Sequence, residues 1–182
     1  VICEEVYANN VVCSKYIRAE DIADAMSKSI RVEGIETGIL PEDCMYFKED
    51  LDGNRYIVIK YSGIIDINLY DTIYKHCPLP TLLFGFKVAN DGHIYKKYLS
   101  CIKGNKVRMD TKLCHYPFSN VHSNFSICLG NANLPNIKHV WQLGSLPYYI
   151  MAMRNNNDLY NVQHNLLGYE YRELLEYLSC KN

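Results

Sequence analysis

Between residues 44 and 101 short β-rich runs alternate with turn-forming peptides, and this rhythm restricts the region to an antiparallel sheet. Residues 44–49 and 55–61 flank Leu51-Asp52-Gly53-Asn54, a tight-turn signal because Gly and Asn accept positive φ. Tyr56-Ile57-Val58-Ile59 consists of the β-branched and aromatic residues that favour a pleated surface. A loop through Pro78 and Pro80 is expected to lead to a further run over 81–88. Asn90-Asp91-Gly92 then turns the chain into 93–101, and Gly104-Asn105 turns it again. At least four antiparallel strands follow from this pattern.

Helical signals flank the strands. Residues 2–8 and 11–17 surround Asn9-Asn10, which predicts an N-terminal hairpin. Ile22, Met26 and Ile30 then recur every fourth residue, with Glu20 and Asp21 in the first turn where the helix dipole favours acids. Gly34 and Gly38 end that segment. Residues 115–136 are rich in Asn, Ser, Pro and Gly and read as mostly irregular. A helical pattern resumes over 138–153, where Pro147 should kink the helix or start a fresh turn. Asn155-Asn156-Asn157-Asp158 is a polar break, read as a solvated turn, before a last amphipathic helix over 169–180. This order predicts an α+β fold: hairpin, helix, antiparallel four-stranded meander, irregular segment and C-terminal helices.

The 182 residues, 48% of them hydrophobic, suit a single domain over 1–182, because two domains of half that length would each be marginal. The net charge of −1 gives no basic footprint for nucleic acid. The 16 tyrosines are scattered and read as packing residues. The densest apolar stretch, 146–153, is too short to span a bilayer, and the N-terminus lacks a secretory pattern. Eight cysteines, at 3, 13, 44, 77, 101, 114, 128 and 180, form no Cys-x-x-Cys pair and no zinc-finger spacing. They read as reduced thiols of a cytoplasmic protein, seven of them filling core space. His115 beside Cys114 has no matching second pair, so no metal is expected, and no cofactor motif appears.

The stretch Phe118-Ser119-Asn120-Val121-His122-Ser123-Asn124-Phe125-Ser126-Ile127-Cys128-Leu129 carries the chemistry. It resembles the active-site segment of the ubiquitin-conjugating-enzyme (UBC) superfamily. There, His-Pro-Asn is followed, after a short loop, by an apolar residue, the catalytic Cys and Leu. Phe118 and Ser119 stand where that pattern has His and Pro, while Asn120-Val121 and Ile127-Cys128-Leu129 fall in register. Pro78-Leu79-Pro80 ahead of an apolar strand is a further likeness. The closer resemblance is to the prokaryotic branch, family D, which includes protein B of the PRTRC gene system. It extends over nearly the whole chain, through Tyr116, Asn120-Val121, Gly130-Asn131, Leu134-Pro135 and Trp141, the last expected in the core.

The resemblance implies a UBC-like fold, with 1–17 as a hairpin extension, 115–136 as the active-site segment and 137–182 as the C-terminal helices. It implies a thioester-forming transferase with Cys128 as nucleophile and Asn120 as oxyanion donor or loop support. The partners implied are a ubiquitin-like protein, an adenylating activating enzyme and a JAB-type peptidase from the same gene cassette, in a setting such as antiviral defence. Neither nucleic acid nor membrane is expected. Two other readings stand beside it. A UBC-like scaffold would bind such partners without chemistry. A Cys-His hydrolase would pair Cys128 with His122, six residues upstream, although no carboxylate near that His is evident to orient it.

Overall fold

The computed structural model describes residues 2–6, 12–16, 18–22, 24 and 37–180. The chain divides into two compact units, Val1–Glu36 and Thr37–Asn182. In the first, β1 (Ile2–Val6) pairs antiparallel with β2 (Val12–Tyr16), from Ile2 opposite Tyr16 to Val6 opposite Val12. The expected hairpin is therefore present, with Asn9-Asn10 outside the described residues. Residues 19–22 and 24 are helical, and Arg18 O accepts from the N–H groups of Asp21 and Ile22. Met26, Ile30 and Gly34, the rest of the predicted helix and its break, lie outside the described residues.

The second unit holds a four-stranded antiparallel sheet in the order β3-β4-β7-β8. Its strands are β3 (Cys44–Glu49), β4 (Arg55–Tyr61), β7 (Thr81–Val88) and β8 (Ile94–Ile102). The β3–β4 turn is organised by Asp50, whose carboxylate accepts from the Asp52 and Asn54 amides, the Asn54 side chain and the Tyr56 hydroxyl. Between β4 and β7 the structure departs from the expected loop. Residues 64–78 form a second hairpin, β5 (Ile64–Leu69) and β6 (Thr72–Pro78). Ile67, Leu69, Tyr74 and Cys77 are buried along it. A register shift between Ile65 and Ile67 interrupts the alternation, and there Asp66 Oδ1 accepts the amide of His76, held at φ 58°.

The 138–153 segment forms a 3-10 turn (Val140–Ser145) followed by α1 (Leu146–Met151). Pro147 sits in the first turn of α1, where its missing N–H leaves no intrahelical bond unmade. A short 3-10 turn (Val162–His164) precedes α2 (Tyr171–Ser179). The core is the sandwich of Ile57, Ile59, Leu82, Phe84, Phe86 and Leu99 from the sheet with Leu143, Leu146, Ile150, Leu174 and Leu175 from the helical segments. Each such side chain stabilises the fold by about 1.5–3 kcal/mol through burial.

Two packing expectations are corrected. Trp141 is 55% exposed, because the 3-10 turn directs Val140 and Leu143 inward and turns the indole out beside His139. Among the thiols, Cys77 and Cys101 are buried and Cys44 and Cys114 partly so, but Cys180 is exposed at the end of α2. The side chains of Cys3 and Cys13 lie outside the described residues.

Candidate functional site

Residues 118–128 enter from the core and fold back on themselves. Phe118, 2% exposed, packs edge-on to Tyr116 with ring centroids 5.3 Å apart, so the residue in the family's His position anchors the segment by apolar burial. Ser119 is also fully buried. Asn120 then takes φ 65°, a left-handed conformation that Asn adopts at lower cost than most residues. Its carbonyl accepts the Cys128 N–H at 2.8 Å, Val121 pairs antiparallel with Ile127, and the His122 N–H reaches Ser126 O at 2.9 Å. The turn closes with the Phe125 N–H on His122 O at 2.8 Å, and Phe125 has φ 68°. Asn124 Oδ1 accepts both the Ser126 amide and hydroxyl, at 3.1 and 2.7 Å. A segment expected to be irregular thus contains a tight antiparallel turn whose bonds lie mostly within Asn120–Cys128.

That turn rides on the free edge of β8. Leu99 N–H donates to Phe125 O at 2.9 Å and Ile127 N–H to Lys97 O at 3.1 Å, with Tyr98 opposite Ser126. The Asn120 side chain fixes the other flank by donating from Nδ2 to Arg154 O at 2.9 Å. Cys128 is half-buried at the end of the turn and opens into a groove of about 360 Å³. His93, Tyr95 and Lys97 form one wall of it, with Leu129, Asn133 and Leu134 along the other. Gly92 secures this arrangement: its carbonyl accepts the Ile137 N–H at 2.8 Å, and a Cβ there would stand 2.5 Å from Ile137 O.

The structure therefore brings Asn120 and Cys128 together through the main chain, with the Asn120 amide engaged at Arg154. His122 lies exposed at the turn and does not line the Cys128 groove. His93 and Lys97, which do line it, escaped sequence reasoning because they reach the groove only through the position of β8. His115 is stacked on Phe125 and on His164, at 4.8 and 4.2 Å between centroids. Among the described residues no three His, Cys, Asp or Glu side chains cluster as a metal site requires. No described helix is long and apolar enough to cross a membrane.

A family model described as Prokaryotic E2 family D matches residues 42–156. The chain belongs to that family. The match to family D runs from the residues just before β3 through the Cys128 turn and α1 to Asn156, so it contains the whole four-stranded sheet and the groove. The α+β architecture fits an E2-like fold, and membership of family D places the chain among UBC-like proteins. No curated protein and no solved structure matched.

Proposed function

We propose that the chain accepts the C-terminal carboxyl group of a ubiquitin-like protein as a thioester on Cys128 and transfers it to an acceptor. The observation that carries this reading is the groove: a half-exposed thiol at the end of a rigid turn, opening into about 360 Å³ flanked by Leu129 and Gly130. Such a channel suits an extended, small-residue tail. In the charging step the Cys128 sulfur attacks the thioester carbonyl of the activating enzyme's adduct; the new C–S bond forms and the activating enzyme's thiolate leaves. In transfer, an acceptor nucleophile attacks the same carbon and the Cys128 thiolate departs. Lys97, which lines the same groove, is the cation that this reading assigns to the carbonyl oxygen as it gains charge.

Asn120 acts in this reading mainly as a positioning residue, since its amide holds the turn against the Arg154 carbonyl. The Asn120 side chain does not line the Cys128 groove, so its support is given through the turn. The partners are an adenylating activating enzyme and a ubiquitin-like protein, with a JAB-type peptidase in the same cassette. The likeness to protein B of the PRTRC system, a cytoplasmic location and a role in antiviral defence belong to the same proposal.

Incubation with those partners and ATP should give an adduct that dithiothreitol removes. Cys128→Ser should convert it to a thiol-resistant ester or abolish it. An adduct that persists in Cys128→Ala overturns the assignment. Partner binding without any adduct would instead identify a scaffold.

A further inference from the structure

We propose that Cys101 and Cys114 form a reversible, peroxide-responsive disulfide at the root of the active-site segment. This goes beyond the transfer reaction and does not depend on it.

The register carries the argument. Cys101 lies near the end of β8, and Cys114 pairs with it as an isolated antiparallel bridge. Cys101 N–H donates to Cys114 O at 3.0 Å and Cys114 N–H to Cys101 O at 2.8 Å. Residues exchanging both bonds stand directly opposite, about 5.5 Å apart at Cα, and project their side chains on the same face. That separation lies within the Cα range that disulfides span. The Cys101 thiol already points toward the partner segment, donating to His115 O at 3.0 Å, with Cys114 O at 3.7 Å. Both cysteines also line one groove of about 510 Å³, bounded by Pro78, Phe118, His164 and Leu174, through which a small oxidant reaches them.

The two thiols are unequal in a useful way. Cys114 is half-buried and meets the oxidant; Cys101 is buried, and its burial raises the thiol to about 11, so it stays protonated and protected. The Cys114 sulfur attacks the O–O bond of hydrogen peroxide, forming a sulfenic acid and releasing one water. The Cys101 sulfur then displaces the hydroxyl from that sulfenic acid, its proton leaving with the second water. Two thiols and one peroxide thus give one disulfide and two waters. Hydrogen-bonded cross-strand pairs hold their Cβ atoms about 1 Å farther apart than a relaxed disulfide, so this bond forms under strain. Strained disulfides are readily reduced, which suits a switch better than a staple. Its effect would be to clamp the start of the segment that carries Asn120 and Cys128 onto β8.

The test is thiol mapping on the folded full chain. The protein is treated with hydrogen peroxide, alkylated in denaturant and digested with trypsin and chymotrypsin, which separates Cys114 from Cys128 by cleavage after Phe118. A linked Cys101–Cys114 peptide pair that dithiothreitol releases is expected. In Cys114→Ser the link should vanish and Cys101 should remain a thiol. In Cys101→Ser, Cys114 should accumulate as a dimedone-trapped sulfenic acid. Cys101 fully alkylated while Cys114 is oxidised, or Cys114 linked to Cys128 or Cys101 to Cys77, overturns the proposal. Absence of thioester formation in the transferase assay would leave this result untouched, so the two readings fail separately.

Discussion

The Asn120 amide and the Cys128 sulfur are set by one hydrogen-bonded turn but face different tasks. Because Nδ2 is engaged at Arg154 O, removing it should loosen the turn before it affects any oxyanion. In the proposed transfer, Asn120→Ala is therefore expected to slow charging and discharge of Cys128 together, and parallel single-turnover assays of the two steps would check this. Slowing of discharge alone would reveal a direct oxyanion donor. Gly92 is the other residue whose identity the site demands. At φ 91°, with the Ile137 carbonyl where a Cβ would stand, Gly92→Ala should destabilise the fold by roughly 2–3 kcal/mol. Urea unfolding midpoints of the two proteins would measure this.

Among the elements, the turn at 122–126 is held by the Asn124 carboxamide as well as by the backbone. Asn124→Ala removes the acceptor for both Ser126 donors, and a loss of about 1 kcal/mol is expected from thermal unfolding. Local chemistry made the four-stranded sheet legible. Asp52-Gly53 and Asp91-Gly92 announce their turns, and Ile57, Ile59, Phe84 and Phe86 alternate as a half-buried strand must. The β5–β6 hairpin was not legible, because the register shift at Asp66 breaks the two-residue period and the prolines at 78 and 80 suggest a loop. Cys128 and Asn120 were singled out by the resemblance of residues 118–129 to the UBC active-site segment, and the structure joins them by the Cys128 N–H bond to Asn120 O. The groove walls were not legible: His93 and Lys97 share a groove with Cys128 only because the turn docks on the edge of β8, a long-range choice that no short window of sequence contains. Trp141 misled because its size suggests burial, whereas the 3-10 geometry decides its direction.

For the whole molecule, buried thiols link stability to pH. Burial raises both Cys77 and Cys101 to about 11 from an ordinary value of 9.0. The folded state thus holds these protons more tightly than the unfolded chain. Each thiol's contribution, up to about 3 kcal/mol, is fully present below pH 9 and is lost as pH rises toward 11. The buried Tyr116 and Tyr171 hydroxyls, also raised by desolvation, act in the same direction above pH 10. Denaturant midpoints under reducing conditions should be flat from pH 7 to 8.5 and fall steeply by pH 10.5.

Docking of the turn onto β8 also determines where this sheet can grow. From Lys97 to Cys101 the outer rim of β8 is already occupied, first by Ile127 and Phe125 and then by Cys114. Among the described residues β3 has no strand on its far side. The two outer strands, β3 and β8, lie three strand spacings or about 14 Å apart across the sheet. The thiol's own edge is closed to a further strand from Lys97 to Cys101.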